Sequence, residues 1–241
     1  MSEVFKIVIY GILAGAATIV GIYLVLFKEP WARKNSIYLI SFSAGVLISV
    51  ALLNLMPEAQ ILSKNALVWF LASFILFYIL EHVIILHSCR EGQHCEVHPI
   101  DQIALLGMGF HSLLDGIIIG VGFEVSSALG VIATLSVILH KLPDGISMIS
   151  ILLHSEYERK KAVNYSWIVA LATPIGAIGS FLLAKNLSEN LLGILIAIAA
   201  GSFLYISAAD LIPEIHKKSK ILNIILVVLG VLFPFVVKLL F

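Results

Sequence analysis

Charged residues are scarce in this sequence: Asp, Glu, Lys and Arg make up 12% of its 241 residues, while hydrophobic residues make up 60%. The mean hydropathy of +1.06 excludes an ordinary soluble globular protein and is typical of the membrane class. The formal net charge is zero, so no excess of positive charge indicates a nucleic-acid partner. We therefore expect a multi-pass integral membrane protein surrounded by the lipid bilayer.

Cysteines and long polar segments are also nearly missing. Cys89 and Cys95 are the two cysteines, too few for a disulfide framework. The motif His-Glu-x-x-His, which marks one large class of zinc hydrolases, does not occur. Because the polar connections are short, the sequence predicts a single transmembrane domain over residues 1–241.

Eight apolar runs of about 20 residues, the length that a helix needs to cross a bilayer, predict an all-α protein with eight transmembrane helices. The runs lie near residues 5–27, 36–56, 66–87, 101–123, 126–152, 166–184, 190–212 and 221–240. Most Lys and Arg residues fall in the connections after the odd-numbered runs. The positive-inside rule places these connections in the cytoplasm and both termini outside, and we expect the cell (plasma) membrane.

An internal repeat relates the second and seventh runs. Residues Ala44–Glu58 match Ala200–Glu214 without a gap, and both segments begin with Ala-Gly and end with Leu-x-Pro-Glu. Since five positions separate the two runs, they cross the membrane in opposite directions. Helices 1–3 and 6–8 are thus predicted to form an inverted repeat around helices 4 and 5. Inverted repeats around a site at the middle of the bilayer are typical of secondary transporters, which work by alternating access.

Two similar hexads, HSLLDG and HKLPDG, lie in the fourth and fifth runs. Each has His, then Asp four residues later, then Gly, so the imidazole and the carboxylate share one face of a helix. Ionisable side chains in hydrocarbon cost at least about 2.5–3.5 kcal/mol each, which indicates a function. Two His and two Asp suit zinc, with iron, manganese, cobalt and cadmium as further candidates. The predicted metal ligands are His111, Asp115, His140 and Asp144.

Three other roles for the hexads stay open at this point. The two histidines could be hydrogen-bonding residues buried between packed helices, although duplication of the whole pattern favours a metal or proton path. A membrane-embedded zinc hydrolase is the main rival function, because His and Asp can also hold a catalytic zinc. A haem protein with His111 and His140 as axial ligands is the second rival, and the nearby carboxylates disfavour it.

The hexads resemble the helix 4 and helix 5 signatures of the ZIP (Zrt/Irt-like) family of divalent metal transporters, His-Asn/Ser-x-x-Asp/Glu-Gly and His-x-x-Pro-x-x. Residues Gly201–Glu214 resemble the family's helix 7 pattern, and the predicted topology matches as well. The resemblance implies import of zinc or a related metal toward the cytoplasm through a midplane site formed by the hexads. Zinc would then be a substrate, with no cofactor and no enzyme activity. A homodimer is a candidate assembly.

The resemblance also bears on a second metal. Many members of the family hold two adjacent metals, with further ligands from helices 4, 5 and 6. The corresponding positions here are Ser112, Lys141 and Thr173, a poor set for a second cation. Lys141 brings a positive charge to the place of that ion, so we predict a mononuclear site.

Polar residues near the two ends of the second and seventh helices could guide the metal to and from this site, although the glutamates also suit solvated helix ends. These pathway candidates are Asn54, Glu58, Asp210 and Glu214. Pro143 has no N–H, so we expect it to kink the fifth helix and free the Leu139 carbonyl toward a cavity.

The connection between the third and fourth runs is dense in histidine and cysteine. Such ligands suggest weak metal capture, and a His-rich loop at this place is frequent in the family. The spacing matches no closed zinc-site pattern, so an ordinary solvated loop is an equal alternative. The candidates are His87, Cys89, His94, Cys95 and His98.

Overall fold

Nearly every described residue of the protein is helical. The computed structural model describes residues 3–88, 98–154, 157–184, 187–217 and 220–240. Its α-helices are α1 (Glu3–Val50), α2 (Met56–Leu62), α3 (Ala66–Ser88), α4 (His98–Val125), α5 (Ser127–His154), α6 (Arg159–Ala184), α7 (Glu189–Tyr205), α8 (Ile212–Lys217) and α9 (Ile221–Leu240). Two π-helical segments, Ala51–Leu55 and Ile206–Leu211, join α1 to α2 and α7 to α8. The predicted all-α class is confirmed.

Within the described ranges, seven helical stretches are long and apolar enough to cross a membrane. They are Val4–Ala32, Lys34–Leu62, Gly107–Val125, Ser127–Leu153, Arg159–Leu183, Glu189–Lys217 and Ile221–Leu239. The remaining predicted run coincides with α3, in which Ala66–Leu80 is a shorter apolar stretch. The protein is therefore integral to a membrane.

The first two spans are two helices that meet at a sharp break at Lys28, and the label α1 covers both of them. We predicted a polar connection over residues 28–35, but helix continues through most of it, and Lys28 leaves the helical region with φ −140° and ψ 49°. Pro30 follows and offers no N–H to the Leu26 carbonyl. The Arg159 guanidinium of α6 donates to that carbonyl oxygen instead, at 3.1 Å. The helical hydrogen bonding is therefore interrupted over only a few residues, because the Arg159 side chain pairs with the Leu26 carbonyl that Pro30 leaves without its N–H.

The two halves of α1 fold back against the same part of α5. A Cβ atom on Gly21 would meet the Leu142 carbonyl, and the Ser43 hydroxyl donates to the Leu139 carbonyl. Gly21 and Ser43 are 22 positions apart and would be separated by about 33 Å in a straight helix, yet both contact neighbouring turns of α5. This fold places α5 at the centre of the bundle.

Glycines allow close approach where α1 meets α9. A Cβ atom on Gly45 would collide with the Val227 carbonyl oxygen, and one on Gly230 would collide with the Phe42 carbonyl oxygen. Two backbones in such contact leave no room for a methyl group on either side. The pairing of α1 with α9 therefore depends on glycine at both positions.

The π-helical segments lie at matching positions of the two repeated sequences, just before Pro57 and Pro213. A proline lacks an N–H, and its ring clashes with the carbonyl four residues earlier, so a wider turn relieves the clash. Asn54 and Asp210 both lie in these segments. Each copy of the repeated sequence thus has one polar residue, Asn54 or Asp210, in a π-helical turn.

Gly45→Ala should destabilise the detergent-solubilised protein, because the added methyl group must push α1 away from α9. We expect a cost of about 1–3 kcal/mol, visible as a lower Tm in thermal unfolding. Gly179→Ala is the matched control, since a Cβ atom there would have no neighbouring heavy atom within 4 Å among the described residues. This variant should be neutral or slightly stabilising. Equal Tm values for the two variants would contradict close packing of α1 on α9.

Candidate metal centre

A tight hairpin of α4 and α5 brings the two hexads to the same depth. Ser126 alone separates the two helices, and its hydroxyl accepts a hydrogen bond from the Leu129 amide at 3.1 Å, which caps α5. Next to this turn, a Cβ atom on Gly122 would lie 3.2 Å from the Cα atom of Gly130. The antiparallel helices therefore run side by side from the turn to the hexads.

The four predicted ligands meet between these helices. One ligand atom from each of His111, Asp115, His140 and Asp144 lies within 4.8 Å of all the others. Asp115 Oδ2 is 3.1 Å from His111 Nε2 and 3.3 Å from His140 Nε2, and His111 Nε2 is 3.7 Å from Asp144 Oδ2. A tetrahedral zinc ion with ligands at about 2.0–2.2 Å holds them roughly 3.3–3.6 Å apart. The side chains would need little movement to bind one.

His140 has the orientation that metal-ligating histidines commonly have. Its Nδ1 lies 2.8 Å from the Ser136 carbonyl oxygen one turn earlier, and from this hydrogen bond we infer that Nδ1 carries the proton. Nε2 faces Asp115 Oδ2 at 3.3 Å, within hydrogen-bond distance. In the neutral tautomer that a metal ligand requires, Nε2 would have its lone pair directed toward this oxygen, where a cation could be bound by both atoms. The Phe203 ring of α7 packs edge-on against the imidazole, with ring centroids 5.6 Å apart.

Several buried polar atoms at the centre lack a hydrogen-bond partner within the part of the chain that the structure describes. They are both ring nitrogens of His111 and Oδ1 of Asp115, and Oγ1 of Thr173 on the neighbouring α6 is a further atom of this kind. His111 Nε2 is close to Asp115 Oδ2, at 3.1 Å, but the contact does not have hydrogen-bond geometry. Since buried polar atoms without partners cost free energy, this arrangement suits a site that receives an ion or water.

Lys141 binds the same two carboxylates, at the same oxygen atoms. Its side chain is 1% exposed, and Nζ lies 2.6 Å from Asp115 Oδ2 and 3.3 Å from Asp144 Oδ2. The ammonium also donates to Ser112 Oγ at 2.9 Å. Lys141 therefore neutralises part of the charge of both aspartates through the oxygen atoms that face the histidines.

Thr173, the third residue predicted to replace ligands of a second metal, lies on α6 next to this group. It is fully buried, and its carbonyl oxygen packs against Gly116, the residue after Asp115. Ser112 and Lys141 thus contact each other at the centre, while the backbone of Thr173 packs beside it.

The haem alternative is inconsistent with this geometry. The imidazole rings of His111 and His140 have centroids 5.5 Å apart and are tilted by 40°. Asp115 Oδ2 lies within 3.3 Å of both Nε2 atoms, where a haem iron would have to be. The structure leaves no place for a porphyrin between the rings.

One of the two consequences predicted for Pro143 is overturned by the structure. Helix α5 runs through this proline, from Ser127 to His154. We expected the Leu139 carbonyl to face a cavity, which was wrong, because the Ser43 hydroxyl of α1 donates to that oxygen at 2.8 Å. A side chain from another helix replaces the missing N–H and keeps this backbone group satisfied.

A cavity of about 390 Å³ leads to the centre from one end of the bundle. Its lining includes Asp144 together with two of the predicted pathway residues, Asp210 and Glu214. The Asp144 side chain is 21% exposed, whereas that of Asp115 is 1% exposed. The centre is therefore reached from the side of Asp144.

Other predicted residues are not brought to the centre. Asn54 and Glu58 are half-buried in the first π-helical segment and in α2, and they are not part of the cavity lining. The loop residues proposed for metal capture stand at the edge of the described chain or beyond it. His87 is in the last turn of α3 and His98 begins α4, while Cys89, His94 and Cys95 lie outside the described residues.

Three residues that support the centre were not predicted from the sequence: Ser43, Ser136 and Phe203. The role of Ser136 could have been found, since its carbonyl is four residues before His140 and a helical histidine can donate to that position. The other two come from α1 and α7, and no local pattern marks them.

Lys141→Ala should cost about 3–5 kcal/mol in the free energy of unfolding, because the buried carboxylate of Asp115 and the half-buried carboxylate of Asp144 lose their cation. Unfolding in detergent without metal measures this cost. Lys161→Ala is the matched control: Lys161 also pairs with a carboxylate three residues away, Glu158, but both side chains are more than half exposed, so little change is expected. A Tm of the Lys141→Ala protein equal to that of the unmodified protein would contradict the proposed charge balance.

The chain is similar to known zinc transporters. The family model described as ZIP zinc transporter matches residues 86–238, more than half of the chain. Zinc transporter zipt-7.1 of Caenorhabditis briggsae is 34% identical over 107 residues, 44% of this chain and 27% of the relative. Zinc transporter ZIP9 of Micropogonias undulatus is 28% identical over 136 residues, which cover 54% of this chain and 44% of the relative. Zinc transporter ZIP9-B of Xenopus laevis is 26% identical over 173 residues, which cover 64% of this chain and 57% of the relative.

The chain spans between 27% and 57% of the lengths of these three relatives. The matched region of the family model contains both hexads and the second copy of the repeat. These relatives give no support to the hydrolase alternative. The resemblance found in the sequence is confirmed, and the chain belongs to the ZIP zinc transporter family, whose members carry zinc as a substrate and are not enzymes.

Proposed function

We propose that this protein transports zinc across the membrane toward the cytoplasm, with iron, manganese, cobalt and cadmium as further candidate substrates. The observation that carries the proposal is the convergence of two imidazoles and two carboxylates within 4.8 Å of one another. Such a ligand set suits a divalent transition metal, and buried ionisable residues in a membrane protein mark an ion pathway. We take residues 1–241 as one transmembrane transporter domain.

The ligands of the transported ion are His111, Asp115, His140 and Asp144. In this proposal they bind one ion, because the ammonium of Lys141 takes the place of a second. Its contacts with Asp115 Oδ2 at 2.6 Å and Asp144 Oδ2 at 3.3 Å support this assignment. A second divalent ion would have to approach an ammonium in a medium of low dielectric constant.

The proposed path runs between the Asn54 and Glu58 side and the Asp210 and Glu214 side, by alternating access. The cavity at Asp210 and Glu214 reaches Asp144, while Asp115 is almost completely buried, which supports a state open to one side. An ion released through this cavity would leave past two carboxylates.

The proposed architecture has eight transmembrane helices, with α3 as the third, and an inverted repeat around α4 and α5. The matching π-helical segments support the repeat, since irregular turns recur at equivalent positions. The two copies also touch, because the Ser207 hydroxyl donates to the Ala44 carbonyl at 2.9 Å. Such a pair of copies could rock against each other around a central site.

The proposal also includes the membrane in which the protein lies and its orientation there. We propose the plasma membrane, with both termini outside, in contact with lipid along the outward faces of α3 and α9, where Leu67 is 59% and Val228 is 52% exposed. We also propose a homodimer in this membrane, which a measurement of the protein's mass in lipid nanodiscs tests. Weak metal capture by the loop between α3 and α4 is a further part of the proposal.

His140→Ala and Asp144→Ala should each reduce zinc uptake to the level of protein-free liposomes, because each removes a ligand. The measurement is uptake of radioactive zinc into proteoliposomes that hold the purified protein, with and without a pH or voltage gradient. His82→Ala is the matched control, since His82 also lies 3.0 Å from the carbonyl four residues earlier but is exposed on α3. It should retain uptake. Unchanged uptake in both ligand variants would refute the site, and absence of uptake by the unmodified protein would refute zinc transport.

Alternating access predicts reciprocal labelling of single cysteines on the two sides of the site. In a background with Cys89 and Cys95 replaced by Ser, Asn54→Cys reports one side and Ser147→Cys, in the cavity lining, reports the other. Adding zinc should raise the labelling rate of one cysteine by a maleimide and lower that of the other. If both cysteines stay reactive together, a channel describes the protein better.

A further inference from the structure

An apolar groove with a volume of about 660 Å³ lies between α4 and α6. Its walls include Leu105, Gly109 and Leu113 of α4, and Ile168 and Ala172 of α6. Ile168 is 64% exposed, so the groove opens on the outer surface of the bundle. Binding sites for small molecules commonly have roughly 300–1,000 Å³, so this groove is large enough for a ligand.

The two helices that form the groove run in the same direction. A Cβ atom on Gly116 would meet the Thr173 carbonyl, and one on Gly120 would meet the hydroxyl of Ser180. Later residues of α4 thus contact later residues of α6, and the two helices begin at the same end of the bundle. Tyr157, just before α6, lines the groove at that end.

Positive charge lies at the same end of the groove. Lys161, Tyr165, Ile168 and Ala172 are spaced by four, three and four residues, so they form one stripe along α6. Lys161 is the first member of the stripe and is exposed, as is Lys160 next to it. The pair of Lys161 with Glu158, at 3.6 Å, is solvent-exposed and weak. Its ammonium can therefore bind another anion.

Aromatic rings mark the boundary between the charged end and the apolar walls. Tyr157 and Tyr165 pack edge to face with ring centroids 5.8 Å apart, and both line the groove. Tyrosine is enriched where membrane proteins meet the interface of bilayer and water. The order along the groove is thus basic, aromatic and apolar, which is the order of headgroup, interface and acyl chain in a phospholipid.

We propose that this groove binds an anionic phospholipid of the surrounding bilayer, with one acyl chain between α4 and α6 and the phosphate beside Lys160 and Lys161. Lipid surrounds a transmembrane surface, and basic residues next to the membrane attract anionic headgroups. The groove is open because Gly109 and Ala172 have small side chains. Leu113 and Ala172 directly adjoin Ser112 and Thr173, so the bound chain lies against the helices that carry the metal centre.

The test uses photolabelling of the purified protein in nanodiscs and reads lipid binding without reference to transport. Phosphatidylglycerol with a diazirine in its acyl chain is compared with the same probe built on phosphatidylcholine. Labelling is mapped by mass spectrometry over residues 105–113 and 165–172 and is normalised to the lipid-facing side of α9. We expect the anionic probe to label the groove more strongly, by roughly fivefold for each basic residue that it meets.

Gly109→Leu should remove this labelling, because the new side chain fills the groove and its Cβ has no described heavy atom within 4 Å to displace. Gly179→Leu is the matched control on α6, since its Cβ is equally free, and it should label as the unmodified protein does. Groove labelling that survives Gly109→Leu would refute an acyl chain in the groove.

Replacement of both Lys160 and Lys161 by Gln should abolish the preference for phosphatidylglycerol, while Lys220→Gln, an exposed lysine before α9, should preserve it. Equal labelling of the unmodified protein by the two probes would overturn the proposal of an anionic lipid. So would a preference that persists in the double variant, because the phosphate would then be bound elsewhere.

Discussion

One oxygen atom, Oδ2 of Asp115, sets the geometry of the centre. It lies within 3.3 Å of His111, His140 and Lys141, and its side chain is 1% exposed. A carboxylate in so apolar a region must be neutralised by nearby groups, since its hydration is lost. Its partners come from both α4 and α5, so the register of the two helices is fixed. The one-residue turn at Ser126 and the close approach of Gly116 to α6 serve this register.

The charge of the centre explains why one metal ion suits it better than two. In the metal-binding form that we propose, both histidines are neutral, and two ionised aspartates with one ammonium give the centre a net charge of one negative unit. A divalent ion reverses this to one positive unit, and a second would raise it to three. In a medium of low dielectric constant the cost of such an excess grows steeply. In the proposed transporter, the ammonium of Lys141 therefore limits the site to one ion.

The sequence predicted the composition of the centre because the signal is local and duplicated. His and Asp four residues apart must share a helix face, and two hexads in consecutive runs joined by a short turn must meet. The bend of α1 at Lys28 could not be predicted in the same way, since it depends on Pro30 and on Arg159 from a distant helix. The same holds for Ser43, whose contact with Leu139 exists only once α1 has folded back on α5. Local periodicity carries no information on such partners.

The central claim is that His111, Asp115, His140 and Asp144 bind one divalent ion while Lys141 takes the place of another. Anomalous diffraction at the zinc edge, from crystals grown with zinc, tests it most directly. The account predicts a single transmembrane peak between α4 and α5, within coordination distance of the four side chains. Two adjacent peaks in the unmodified protein would contradict the role of Lys141, and the absence of a peak at this position would contradict the metal centre itself.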